Sequence, residues 1–208
     1  MMKLRYPLLF LLLTGCLILA FYLTQPKRPE HADYYPVGRD INNFQLIDAD
    51  NKPFTPANLL GHWTFLFVGY TFCPDICPTT LADIRSVYDQ LKKLAPTTQV
   101  VFVSADPQRD DPARLKTYTA FFNPEFKAAT APHDKLFPFV RNLGLVYSIA
   151  KEGEKDYLID HSASIVLINP KGKLQGVFRP KVERGQVPLV QMDSMLSDFS
   201  RILKLTGY

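Results

Sequence analysis

The sequence predicts an α/β fold: an open mixed sheet flanked by helices, with an antiparallel hairpin late in the chain and one apolar helix ahead of the domain. Three observations carry this. Two short runs, WTFLFVGY from Trp63 to Tyr70 and VVFVS from Val100 to Ser104, are apolar, aromatic or β-branched with little polar relief, as expected of strands buried on both faces. Between them, Leu81, Ile84, Val87, Tyr88, Leu91 and Leu94 recur at helical spacing, which makes a βαβ unit. Near the end, Ala163 to Ile168 and Leu174 to Phe178 flank the turn Asn169-Pro-Lys-Gly172.

The first element is the N-terminal one. Residues 6 to 23 carry no charge, with Lys3 and Arg5 before them and Lys27 and Arg28 after. Such a run is long enough to span a bilayer core, and longer than the 7–15 apolar residues or so of a cleaved signal peptide, so residues 1–24 read as an uncleaved membrane anchor in contact with lipid. Tyr6 and Tyr22 suit its two interfaces. Leu13-Thr-Gly-Cys16 resembles a bacterial lipoprotein processing site, but the apolar run continues through Leu23, so Cys16 reads as part of the anchor and lipid attachment there is the alternative. The basic residues before the span slightly outweigh those after it, which Glu30 offsets, so the positive-inside rule puts the domain outside the cytoplasm. With no Arg-rich, Ser-rich presequence, the expected location is a bacterial inner membrane, the soluble domain lying in the periplasm.

Residues 25–38, rich in Pro and charge, read as a linker, and residues 39–208 as one domain. Lys and Arg number 24 against 20 for Asp and Glu, with no basic block, which leaves no case for nucleic acid. Phe44 to Ile47, the turn from Asp48 to Pro53 and the stretch around Phe54 predict a small hairpin before the main sheet. The central helix is expected over Thr79 to Leu94, a second over Pro112 to Phe122 and a third over His133 to Leu143. Short strands follow at Tyr147 to Ala150 and Tyr157 to Ile159, and an amphipathic helix over Val187 to Leu205 closes the chain. This order is the thioredoxin pattern.

Cys73 and Cys77 fall where the first buried strand meets its helix, a usual place for function in a parallel sheet. Four residues apart across a helix start, their Cβ atoms lie about 5–6 Å from each other, close enough for a disulfide or for joint binding of one metal. Unpaired amides at the helix start stabilise thiolate, while Asp75 opposes it unless it caps those amides. A static disulfide, a redox couple and a metal site all remain open on these residues alone. Two thiolates rarely complete a metal site, and the nitrogen donors available are His31, His62, His133 and His161.

Three motifs in order resemble the Sco/SenC family of cytochrome oxidase assembly proteins: Val68-Gly-Tyr-Thr-Phe-Cys-Pro-Asp-Ile-Cys-Pro78, Val103-Ser-Ala-Asp-Pro-Gln-Arg-Asp110, and Ile159-Asp-His-Ser162 with Asn169-Pro-Lys-Gly172. The resemblance implies a thioredoxin-like fold with an N-terminal anchor, and Cys73, Cys77 and His161 as ligands of one copper. Soft thiolates suit Cu(I), whereas structural zinc takes four ligands. It further implies a metallochaperone for the copper A centre in subunit II of cytochrome c oxidase, served by a copper donor and a thiol reductant. The rival is a thiol-disulfide oxidoreductase acting on the cysteines of that subunit or of other periplasmic proteins, with Cys73 and Cys77 as its catalytic pair. A peroxidase of the peroxiredoxin type would need a threonine three residues before its cysteine, where Tyr70 stands. Asp160 reads either as orienting His161 or as ending a strand. Asp106, Arg109 and Asp110 match the family's Asp-Pro-x-Arg-Asp loop, and read equally as caps and a surface ion pair.

Overall fold

A computed structural model describes residues 5–24, 26–149, 157–182, 185 and 187–208. The two runs that define the fold are strands β4 (Thr64–Gly69) and β5 (Gln99–Ser104), every residue of both buried. They pair in parallel, Thr64 beside Gln99 and Gly69 beside Ser104. The crossover between them is α2 (Ile76–Leu94), which buries Leu81, Ile84, Val87, Tyr88 and Leu91 as its spacing predicts, while Leu94, at its last position, is exposed. A second crossover, α3 (Pro112–Phe122), opens on Pro112 with the Asp111 carboxylate accepting the Arg114 N–H, and leads to β6 (Lys127–Thr130), parallel to β5. On the other side of β4 lies β9 (Ile165–Ile168), antiparallel, joined through the Asn169 to Gly172 turn to β10 (Leu174–Phe178). The early hairpin, β2 (Leu46–Asp48) and β3 (Pro53–Phe54), pairs with β6 and extends the same sheet at its far edge.

Several expectations need correction. The segment read as a linker is largely folded: β1 (Ala32–Arg39) is an edge strand antiparallel to β10, with Ala32 beside Phe178 and Tyr34 beside Gly176. Pro36 falls where the register shifts between Tyr34 and Arg39, and an edge strand with a bulge tolerates a residue that has no N–H to donate. Just before it, the backbone N–H groups of Glu30, His31 and Ala32 donate to the buried carboxylate of Asp198 at 2.9, 2.6 and 2.8 Å. The ordered domain therefore begins near residue 30. The closing helix α5 spans Met192–Thr206 and starts later than expected, because Leu189 bridges back to Lys181 and Pro188 lies in that extended stretch. Finally, α2 begins at Ile76, which places Cys77 inside the helix.

The third helix, α4 (His133–Asn142), ends just before Gly144, whose φ of +78° suits glycine. A separate two-stranded ribbon pairs β7 (Tyr147–Ile149) with β8 (Ile159–His161), which lies two residues later than the strand expected over Tyr157 to Ile159 and therefore carries His161. Ala150, expected at the end of β7, lies outside the described residues. The N-terminal apolar segment is helical as α1 (Arg5–Thr24). Among the described residues, no helix is long and apolar enough to cross a membrane.

The Asp198 carboxylate generates a test of the first correction. Asp198→Ala leaves three N–H groups without their charged acceptor and should lower the unfolding free energy by about 2–4 kcal/mol. A urea titration should show the lower midpoint at unchanged slope, and hydrogen exchange should locate the loss in residues 30 to 32.

Candidate metal centre

The end of β4 brings the chain to the cysteines. Gly69 is the last strand residue, and a Cβ built on it would lie 2.6 Å from Cys77 Sγ and 2.9 Å from the Phe102 ring. No larger residue fits beneath the sulfur. The loop that follows is pinned by Asp110, whose buried carboxylate accepts the Thr71 N–H at 2.9 Å, the Thr71 hydroxyl at 2.6 Å and the Ser104 hydroxyl at 2.6 Å. Burial holds this carboxyl above the usual carboxylate range, and the hydrogen bonds from Ser104 and Thr71 oppose that shift.

Cys73 is half-buried, Cys77 is fully buried in the first turn of α2, and both are free thiols. The Cys77 N–H donates to Cys73 Sγ at 3.4 Å. Hydrogen bonding from the Cys77 thiol, helped by His161 and the amides of Asp75 and Cys77, brings the Cys73 thiol down to about 4 against the opposing effect of burial. Burial pushes the Cys77 thiol up, and the neighbouring Cys73 sulfur reinforces that. Of the two sulfurs, Cys73 is the one whose thiolate is favoured. Asp75 occupies the N-cap position, but its side chain makes no capping hydrogen bond; its carbonyl accepts the Thr79 N–H instead.

His161, at the end of β8, meets this pair. Its Nε2 stands 3.2 Å from Cys77 Sγ, and its ring packs edge-on against Phe67 and Tyr70 with centroids 5.7 and 6.1 Å away. Nδ1 lies 3.3 Å from the Ser162 carbonyl, a contact that favours the proton on Nδ1 and leaves Nε2 as the free donor atom. Asp160, exposed on a strand whose side chains alternate, makes no such contact with the ring. Of its two readings, orienting His161 or ending a strand, the structure favours the second, with Asp160 one residue short of the end of β8, and the Ser162 carbonyl is what meets the ring.

The other histidines go elsewhere. His62 Nδ1 contacts the Thr97 carbonyl at 3.0 Å, His133 Nδ1 contacts the Tyr147 hydroxyl at 2.8 Å, and the His31 backbone is held by Asp198. Among the described residues, Cys73, Cys77 and His161 form the group able to hold a metal ion, their ligand atoms all within 4.8 Å of one another. Donors bound at about 2.0–2.3 Å to one ion lie at most about 4.6 Å apart, so a small closure suffices. Two soft sulfurs and one imidazole are a donor set that copper fits.

Around these three stand residues that the sequence did not single out. Tyr157, the residue before Leu158 and β8, donates its hydroxyl to Asp106, and Arg114 reaches Thr71 Oγ1 while its guanidinium lies 4.0 Å from the centre of the Phe72 ring. The Asp-Pro-x-Arg-Asp motif pointed to half of this network. Asp106 and Asp110 prove buried rather than superficial.

Comparison with known proteins agrees with this geometry. The family model described as SCO1/SenC matches residues 35–193. A Stutzerimonas stutzeri protein described as copper-binding is 39% identical over 145 residues, covering 69% of this chain and 71% of that protein. The mitochondrial SCO2 homolog of Mus musculus is 34% identical over 151 residues, covering 71% of this chain but only 58% of its own length. Among solved structures, Arabidopsis thaliana ScoI with copper bound superposes with a TM-score of 0.68 at 29% identity, covering 81% of this chain and all of that one.

The unequal thiols make a prediction of their own. A lowered folded-state value means that thiolate is the Cys73 form above about pH 4. Alkylation of the native protein should therefore hold nearly constant from neutral pH downward and fall only as the pH approaches that value, with Cys77 unreactive until the chain unfolds. Peptide mapping by mass spectrometry reads both, and a rate that climbs steeply between pH 7 and 9 would contradict the assignment.

Proposed function

The chain belongs to the SCO1/SenC family, and on that premise we propose that it is a copper metallochaperone which loads the copper A centre in subunit II of cytochrome c oxidase. The observation that carries this is the convergence of Cys73, Cys77 and His161 from two distant parts of the chain on one point at the end of β4. Copper is the cargo. Cys73 supplies a ready thiolate, Cys77 a second sulfur once its proton leaves, and His161 Nε2 the nitrogen. Three ligands hold Cu(I) while leaving a position through which an acceptor's ligand enters, and a copper donor loads the site by the same route.

In this reading α1 is a membrane anchor. Leu9, Phe10, Leu11, Leu13, Leu17, Ile18, Leu19 and Phe21 are all exposed around its circumference, and a helix without a polar face needs an apolar surrounding. The domain stands on the periplasmic side of a bacterial inner membrane, where the oxidase subunit presents its copper site.

One observation favours a second role for the same pair. An accessible thiolate beside a buried thiol is the arrangement of a thiol-disulfide oxidoreductase. Cys73 would attack a disulfide of the oxidase subunit, releasing one target thiolate; Cys77 would then displace the second, leaving a Cys73–Cys77 disulfide for a dithiol reductant to reopen.

The reduced chain should take up one copper, and Cys73→Ser, Cys77→Ser and His161→Ala should each weaken binding by at least about 100-fold, since each removes a ligand. Copper titration against a competing Cu(I) chelator measures this. Retention of wild-type affinity by all three variants would reject the metallochaperone. If His161→Ala alone supports full oxidase assembly in cells while both cysteine variants fail, the thiol exchange is the working role.

A further inference from the structure

His161 is carried by a strand with little of the main sheet to hold it. β8 has three residues and its ladder partner is β7, itself outside the main sheet. Ser162 ties the end of β8 to Val146 through its N–H and its hydroxyl, which fixes one side of the ribbon. The other fixed point is Tyr157, four residues before His161.

Arg109 is what holds it there. Its Nη2 donates to the Tyr157 carbonyl at 2.9 Å and its guanidinium stacks on the Tyr157 ring, 3.6 Å from the centroid. Asp106, 1% exposed, braces both partners by accepting from Arg109 Nε and from the Tyr157 hydroxyl. Asp106 is itself located by the Ser104 hydroxyl, which accepts its N–H at 3.0 Å. The same guanidinium also lies 4.7 Å from the centre of the Phe72 ring, next to Cys73 in the chain. One planar cation thus touches the cysteine loop and the histidine segment together, from a loop that belongs to neither.

We propose that Arg109 is a positioning residue of the copper site: wedged between Phe72 and Tyr157, its guanidinium sets the spacing between the cysteine pair and His161. The inference rests on the reading of Cys73, Cys77 and His161 as the copper ligands. A lysine does not replace it, because a point charge on a flexible stem neither stacks on two rings nor bridges Asp106 and the Tyr157 carbonyl in one plane. Without the wedge the sulfurs stay where Gly69 and Asp110 hold them. His161 loses its register.

The full chain and its Arg109→Ala and Arg109→Lys variants test this. Both variants should still bind one copper through the cysteines, with affinity lowered by about 10–100-fold, the usual cost of losing an outer-sphere support. The electron paramagnetic resonance spectrum of the Cu(II) form should lose resolved nitrogen coupling from His161. In the copper-free chains, amide exchange at Ile159 and His161 should accelerate by about tenfold or more while β9 is unchanged. Folded variants that keep wild-type affinity and nitrogen coupling overturn the proposal. So does exchange that accelerates equally in β8 and β9, which would mark a general loss of stability. If Arg109→Ala fails to fold, Arg109→Lys, which keeps the charge, decides the question alone. A wild-type chain that binds no copper rejects the copper reading itself, whereas the exchange measurement still reports whether Arg109 holds β8.

Discussion

The contact between Cys77 Sγ and the backbone of Gly69 is the constraint on which the site depends. A sulfur buried in the first turn of α2 has to sit directly over the last residue of β4, which allows no side chain there. That seat brings the sulfur to 3.2 Å from His161 Nε2, and it sets the height at which Cys73 completes the group. The parallel pairing of β4 with β5 fixes Gly69 in turn, by placing it beside Ser104, whose hydroxyl donates to Asp110. Strand register and ligand geometry are one problem in this fold.

Electrostatics follow from the same burial. Water reaches Cys73 and not Cys77, so the thiolate forms at the accessible sulfur and is stabilised there by hydrogen bonds from its buried neighbour. An incoming soft cation therefore meets a ready anionic ligand first and displaces a proton from the second. The opposing carboxylates are kept in hand. Asp110 is held by hydroxyls and an amide and adds to the upward push on Cys77, while Asp106 is paired with Arg109.

Strands and helices whose burial shows in composition were legible. β4 and β5 are enclosed on both faces and therefore unbroken apolar runs, and α2 is enclosed on one side and therefore periodic. β1 was not, because an edge strand tolerates Pro36 and charge, the same composition that a linker shows. The helix expected from Thr79 opens three residues earlier, on Ile76, with Pro78 in the first turn, where its missing N–H costs no helical hydrogen bond. For α5, the apolar residues Val187 and Leu189 continue its pattern, but their backbone lies in an extended stretch bridged to Lys181.

The site divides in the same way. The cysteine pair stood out through its place at a strand-helix junction. His161 could be matched only through the family motif, since 84 residues separate it from Cys77 and it lies on β8, whose ladder partner β7 is outside the main sheet. Tyr157 and Arg114 lie outside the quoted motifs, and Thr71 lies inside one without a role of its own there; their roles arise from side chains meeting across loops. The central claim is that two sulfurs and one imidazole of a single chain hold one copper. X-ray absorption at the copper edge of the Cu(I)-loaded full chain tests it most directly. The account predicts two sulfur scatterers at about 2.2–2.3 Å and one nitrogen at about 2.0 Å per copper; a shell of sulfur alone, or of nitrogen and oxygen without sulfur, would contradict it.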